Sequence, residues 1–376
     1  MTAVPADAVV DVGPVAHGGH CVARLDGRVI FVRHALPGER VRIRFTDTSH
    51  DGYWRADAYE VLEPSPDRVT PRCPVAGPGR CGGCDFQHVS IAGQRRLKAQ
   101  VLAEQLQRLA GIDWAGEVEA VESPGTEDGL GWRTRMRYQV DADGRPGLRR
   151  HRSHEIQLLP STGCPIAAPT TPSVVDRRWP PNTEILAVAG VDLAAAEVTE
   201  HAAGREWRLA ADGFWQVHPG AADTLVAAVL DGLRPAAGER AFDLYCGVGL
   251  FTGALVDAGA RVWGVEWSKD AIAYARRNVP DARFTAGRVE RVIRSLPKRT
   301  DLVVLDPPRT GAGKDVVDAV LARRPRAVAY VACDPAALAR DLRRAGTRGY
   351  QPTSIRGFDL FPMTHHLEAV AILEPA

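Results

Sequence analysis

Cys333-Asp334-Pro335 follows Ala327 to Ala332, a six-residue run of strand character, so a thiol stands at the carboxyl end of a buried strand and just before a helix. Thiolate is a strong nucleophile, and a helix N-terminus is expected to lower its pKa. A second strand-like run, Asp301 to Leu305, leads into Asp306-Pro307-Pro308-Arg309, whose prolines stiffen the loop that carries the Asp306 carboxylate. Amino-methylating enzymes grip an exocyclic amine with a similar acid-Pro-Pro-aromatic loop, but here arginine replaces the stacking aromatic. A third run, Arg240 to Leu244, enters the turn Tyr245-Cys246-Gly247-Val248-Gly249, where glycines let the backbone approach a ligand closely. Glu266 closes the next strand, Arg261 to Glu266, 23 residues after Asp243, and is suited to accept hydrogen bonds from ribose hydroxyls. No third glycine completes a G-x-G-x-x-G pattern. That argues against a nicotinamide dinucleotide and for a nucleoside cofactor without pyrophosphate, of which S-adenosylmethionine is the best candidate.

Seven cysteines occur, and four of them group as Cys73-x7-Cys81-x2-Cys84 with a distant Cys164. The odd number argues against a disulfide framework. Four soft ligands, each beside proline or glycine, suit zinc or a [4Fe–4S] cluster, and spacing alone does not choose between them.

The elements that must position these groups follow from patterning. A chain of 376 residues with 45% hydrophobic and 25% charged residues has room for two or three domains with ample core. No apolar run approaches membrane-spanning length, and Met1 to Val10 lacks the basic and apolar regions of a secretory signal, so a cytoplasmic location is expected. A net charge of +1 leaves the partner open. Residues 1–62 read as a small β-barrel of the OB type, with strands at Val9 to Val12, Val29 to Val32 and Val41 to Phe45 and a turn at Pro37-Gly38-Glu39. The proline-rich stretch from Pro64 to Pro78 reads as a linker. A helix is expected over 94–110, and strands return from Trp132 to Leu159 with a hairpin at Asp143-Gly144. Beyond Asp223 strands alternate with helices, as in a doubly wound α/β domain.

These residues resemble the RNA uridine-5 (m5U) methyltransferase family over essentially the whole chain. The matching motifs are Asp243 to Gly249, Asp306-Pro307-Pro308-Arg309, Cys333-Asp334-Pro335 and the segment Asp359 to Glu368. The resemblance implies an α/β class I methyltransferase domain with a mostly parallel seven-stranded sheet at 206–376. It also implies an N-terminal OB-like TRAM barrel for RNA at 1–62 and a small β-rich central domain with the cysteine set at 63–205. It makes Cys333 the nucleophile and Glu368 the general base, and places Gln216, Tyr245, Glu266 and Asp306 in the cofactor site. It favours [4Fe–4S] on Cys73, Cys81, Cys84 and Cys164, with zinc as the alternative. The family's Phe-x-Gln-x-Asn stretch appears as Phe214 to His218, with histidine for asparagine, and Leu250 stands where many members carry asparagine.

The expected activity is methyl transfer from S-adenosylmethionine to C5 of a uridine in structured RNA, with 23S ribosomal RNA ahead of transfer RNA. Two rivals are an amino-group methyltransferase and a non-catalytic iron–sulfur RNA-binding protein. A monomer is favoured and no membrane partner is expected. RNA contacts are sought in Trp132 to Tyr138, where alternation puts Arg133, Arg135 and Arg137 on one face and Trp132 and Tyr138 on the other. Arg149-Arg150-His151-Arg152 is a second basic run, and Phe214 or Trp215 offers a ring for an extracted base.

Overall fold

The computed structural model describes residues 6–126 and 128–376, so the first five positions of the expected N-terminal region lie outside the described residues. The chain divides into two compact units. One holds residues 1–101, 123–193 and 361–366, and the other holds 102–122, 194–360 and 367–376.

In the first unit, β1 (Asp7–Ala16), β2 (His20–Leu25), β3 (Arg28–Arg33), β4 (Arg40–Asp47) and β5 (Tyr53–Glu63) close into a barrel in the order β1-β2-β3-β5-β4. Every second residue turns inward, and Ile30, Val32, Val41 and Ile43 are wholly buried. The Pro37-Gly38-Glu39 turn is more than a connection. Buried Glu39 accepts from the backbone amides of Leu36 (2.8 Å) and Ser65 (3.1 Å) and from Arg68 Nε (2.5 Å). These bonds hold its carboxyl below the usual range although burial pushes the other way. Arg68 thereby anchors the proline-rich stretch to the barrel end. Helix α1 (Ile91–Ala110) follows; its residues up to Val101 belong to this unit and those from Leu102 to the other. The chain next contributes β6 (Val118–Ala120) to the second unit, then returns. It forms β7 (Arg135–Val140), β8 (Pro146–Arg149), β9 (Ile156–Leu158) and β10 (Glu184–Val188), a sheet of order β10-β7-β8-β9 around Met136, Tyr138 and Ile185.

The second unit opens with the hairpin β11 (Glu197–Ala202) and β12 (Arg205–Ala210) and helix α2 (Ala221–Leu233). Its sheet gathers β13 (Arg240–Leu244), β14 (Arg261–Glu266), β15 (Arg283–Ala286), β16 (Leu302–Leu305), β17 (Ala327–Ala332), β18 (Tyr350–Asp359) and β19 (Glu368–Pro375). Strand β6 joins them, giving the order β15-β14-β13-β16-β17-β19-β18-β6. The sheet therefore has eight strands, not the expected seven, because β6 pairs in parallel with the outer edge of β18. A three-residue strand carries too little periodicity to be read from sequence. Strands β13 to β17 run parallel, and β19 lies antiparallel between β17 and β18. Helices α3 (Leu250–Asp257), α4 (Lys269–Asn278), α5 (Val289–Val292), α6 (Gly313–Leu321) and α7 (Pro335–Gly346) complete the doubly wound pattern. Its core runs from Phe242 and Val265 through Val303 and Val328 to Leu367 and Ala371. No helix among the described residues is long and apolar enough to cross a membrane.

Candidate active site

Strand register sets the site. Leu244 pairs with Val265 on one side and Leu305 on the other, so the next residues, Tyr245, Glu266 and Asp306, emerge together at the carboxyl edge of the sheet. Leu305 pairs in turn with Tyr330, three positions before Cys333. Ala332 lies opposite Ala369 in the antiparallel β17–β19 ladder, which sets Glu368 across from Cys333. Sheet geometry alone thus brings five of the expected residues to one edge.

Local contacts fix several of them. Glu266 accepts from the backbone amides of Gly247 (3.2 Å) and Ser268 (2.8 Å), so its carboxylate ties the glycine turn to the start of α4. Tyr245 adopts a left-handed φ of 67°, uncommon for a residue with a side chain, and its hydroxyl donates to Glu290 at 3.5 Å. Gly249, at φ 101°, opens α3 and leaves the turn free of a side chain. Wholly buried Asp243 accepts from Thr252 Oγ1 at 2.6 Å through one carboxylate oxygen, while its other oxygen has no hydrogen-bond partner. Asp334 caps α7 by accepting from the Ala337 amide at 2.7 Å.

The electrostatics of this edge are those of a desolvated acid cluster. Burial, partly offset by Thr252, pushes Asp243 up to about 7. Burial and then the neighbouring Asp243 and Glu266 carboxylates push Asp306 to about 7 as well. Glu368, 5% exposed, is raised well above the usual range by burial and by Asp306, with Arg309 pulling the other way. Burial also pushes the Cys333 thiol up to about 12, with Glu368 adding to the rise and Arg309 opposing it. This corrects the expectation of a thiol acidified by the helix dipole. Desolvation and two neighbouring acids outweigh a dipole whose end is already capped by Asp334.

The remaining expected residues divide. Gln216 is half-buried, Phe214 stands 74% exposed, and Trp215 is buried with its ring 6.0 Å from that of Trp207. Trp215 is therefore a core residue, and the exposed ring is Phe214. His218 is buried, its Nδ1 accepts from the Gly220 amide at 3.1 Å, and burial lowers its pKa to about 4. Leu250 is buried in the first turn of α3. Arg309, read in the sequence as the end of a matching motif and in place of a stacking aromatic, lies within electrostatic reach of both Cys333 and Glu368.

In the first unit the expected arginine face of Trp132 to Tyr138 is broken. Arg135 is buried, and exposed Arg137 pairs with Glu184 at 2.7 Å. Strand β7 begins only at Arg135, and Glu184 on the paired β10 supplies a counter-charge that lies too far along the chain to be foreseen. Cys73, Cys81, Cys84 and Cys164 line one cavity with Leu148 and Ile166. Burial raises the thiols of Cys81, Cys84 and Cys164, the last to about 11, and the neighbouring cysteines add to each rise. Four thiols are a donor set of the kind that binds zinc or iron, although these shifts favour their neutral form. Among the described residues, however, no three His, Cys, Asp or Glu side chains close into a group that could hold a metal ion.

An open, mostly parallel sheet with a glycine turn after one strand and acids at the ends of the next two defines a class I methyltransferase fold. The crystal structure of Pyrococcus abyssi tRNA (uracil-54, C5)-methyltransferase in complex with S-adenosyl-L-homocysteine has the same fold. It aligns with a TM-score of 0.70 at 23% identity over 96% of this chain and 99% of that one. Residues 288–375 match the tRNA (Uracil-5-)-methyltransferase family and residues 9–58 match the TRAM domain. The chain is 49% identical to an uncharacterized RNA methyltransferase of Streptomyces avermitilis over 98% of both chains. It is 48% identical to another from Streptomyces coelicolor, over 98% of this chain and 92% of that one. The chain belongs to the RNA uracil-5 methyltransferase family and carries its N-terminal TRAM domain.

Proposed function

We propose that this protein transfers a methyl group from S-adenosylmethionine to C5 of a uridine in structured RNA, with Cys333 as nucleophile and Glu368 as general base. The observation that carries the reading is the pairing of β17 with β19, which sets a thiol and a buried carboxyl of raised proton affinity across from each other at the edge where the glycine turn also opens. Uracil C5 is a poor nucleophile. Sulfur of Cys333, its proton passed to solvent water, bonds to C6 and pushes the C5–C6 electron pair toward the C4 oxygen as an enolate. C5 then takes the methyl group from the sulfonium, whose S–CH3 bond breaks to leave S-adenosylhomocysteine. Glu368 removes the C5 proton, the C5–C6 double bond re-forms, and the Cys333 thiolate departs. Tyr245, Glu266, Asp306 and Gln216 are assigned to the cofactor, with Glu266 facing the ribose hydroxyls and the buried acids favouring a cationic sulfonium nearby.

Cys73, Cys81, Cys84 and Cys164 are assigned to a [4Fe–4S] cluster, with zinc as the alternative on the same thiolates. A bound cluster would cross-link Cys164 to the segment Cys73 to Cys84 and serve structure, and iron and zinc analysis of anaerobically purified protein decides between them. The substrate assigned is 23S ribosomal RNA. Transfer RNA is the second reading, supported by the description of the family that residues 288–375 match. The family also supports a cytoplasmic location.

The test is incubation with 5-fluorouridine-containing ribosomal or transfer RNA and S-adenosylmethionine. Fluorine at C5 cannot leave as a proton, so a stable Cys333–RNA adduct should accumulate on the true substrate. Equal adduct yield with Cys333→Ala, or none on an RNA that the protein methylates, overturns the mechanism.

A further inference from the structure

The chain between β18 and β19 passes through the first unit before it reaches Glu368. Residues 361–366 belong to that unit, whereas Leu360 and Leu367 on either side belong to the second. Within this segment the backbone is strained, with Met363 at a left-handed φ of 66°. A residue with a side chain keeps such a conformation only where several contacts impose it. Here the Met363 amide donates to Oε1 of wholly buried Gln94 at 2.7 Å. Its carbonyl accepts from the amides of Asp85 and Phe86, both at 2.9 Å, and the Phe361 carbonyl accepts from Lys98 Nζ at 3.0 Å.

The last hold is on His365. One oxygen of the Asp85 carboxylate accepts from the His365 amide at 3.2 Å and from its Nδ1 at 2.6 Å, which places a proton on Nδ1. The other oxygen accepts from Arg33 at 3.2 Å, so the carboxylate is oriented from the end of β3. The β1–β2 turn also packs on this residue, since a Cβ added at Gly19 would stand 2.5 Å from the His365 Cβ. Only His366 and Leu367 then separate the clamp from Glu368, and Leu367 is itself buried in the core of the second unit. Three residues span at most about 10–11 Å when fully extended, so a shift of His365 has little chain in which to dissipate. Strained backbone held from several elements just before a catalytic group is the pattern expected where geometry is being specified.

We propose that Asp85, through its hold on His365, positions the general base Glu368. The assignment rests on the reading of Glu368 as base and adds what orients it. Asp85 and His365 are positioning residues, acting along the chain that leads to the carboxyl. Attack by Cys333 and methyl transfer do not need the base, so the loss should fall on removal of the C5 proton. Misplacing a reacting group by about 1 Å costs on the order of a hundredfold in rate.

The test uses the full-length protein, S-adenosylmethionine with a radiocarbon methyl group, and RNA transcribed with 5-tritiated uridine. The RNA is 23S ribosomal or transfer RNA, whichever the wild-type protein methylates. Radiocarbon in RNA or in the protein–RNA adduct reports methyl transfer, and tritium released to water reports loss of the C5 proton. Asp85→Ala should slow tritium release about ten- to hundredfold while first-turnover methyl transfer changes less than about threefold. The methylated adduct should then accumulate on ordinary RNA as a denaturant-resistant gel shift. His365→Ala, which leaves the cysteine segment untouched, should do the same. Asp85→Asn, whose amide oxygen still accepts from His365, should stay within about threefold of wild type. Equal slowing of methyl transfer and tritium release in Asp85→Ala overturns the proposal. So does unchanged tritium release in both alanine variants, with circular dichroism showing intact folds. Glu368→Gln, run alongside, separates the two readings. Tritium release at the wild-type rate in that variant removes Glu368 from the base role. Tritium withheld there but released normally by Asp85→Ala removes the positioning role alone.

Discussion

The crevice at the sheet edge and the outer face of the barrel have taken opposite approaches to the same problem. At the crevice, burial gathers acids and drives Asp243, Asp306 and Glu368 toward their protonated forms. On and beside the barrel, burial gathers bases and drives His20, His34 and His88 toward their neutral forms, with values lowered to about 4, 3 and 4. Both regions hold ionisable groups of one kind away from water, and in both the burial cost of charge favours the neutral form. A sulfonium and a transferred proton would complete the crevice.

The largest effect should come from removing the thiol. Cys333→Ala is expected to lower methyl transfer by at least about three orders of magnitude and abolish the fluorouridine adduct, measured by tritium incorporation and gel shift. Glu368→Gln should slow turnover by about 10²–10⁴-fold and trap adduct on ordinary RNA. Free turnover in that variant would leave the crevice acids without a catalytic member. Phe214→Ala should raise the KM for RNA with kcat little changed, a loss of about 1–3 kcal/mol if the ring stacks on a base. An unchanged KM would leave the exposed ring without a role.

The smallest effect is a difference in pH response. Carboxyls raised in the fold contribute stability that is present at low pH and lost as pH rises, from the unfolded value near 4 through about 7 for Asp243 and Asp306. Histidines lowered in the fold do the opposite. Their contribution is present above about pH 6.5 and lost as pH falls toward about 4. Hydrogen exchange, corrected for intrinsic rates, should show β13 and β16 loosening on the alkaline side and β2 and β3 on the acid side. Asp306→Asn should flatten only the first trend, and parallel trends in the two regions would refute the contrast.

Much of the crevice was legible because strand ends are. Alternating or wholly apolar runs locate strands, and the residues at or just beyond their ends, Tyr245, Glu266, Asp306 and Cys333, then fall where a parallel sheet aligns its carboxyl ends. Glu368 was legible only through family resemblance, because a glutamate at the start of a strand looks like a surface residue. Burying it takes the antiparallel insertion of β19 beside β17. The state of Cys333 was misread because dipole and sequence position are local, whereas the desolvation that dominates comes from packing. The arginines before Tyr138 failed for a related reason. Their pattern is that of a strand face, but Glu184, 47 residues beyond Arg137, decides whether that face is free.

The position of β19 has a consequence for how activity arises. It follows every other strand of its sheet in sequence, yet it lies between β17 and β18 rather than at an edge. The nucleoside turn, β13 to β17 and Cys333 can all take shape before it arrives. If Cys333 and Glu368 act as proposed, a folding intermediate that lacks this last insertion would hold the nucleophile while the base was still absent. On that assignment such a species would form the covalent adduct without resolving it, and the order of assembly would set whether a partly folded molecule stays idle or is trapped on its RNA.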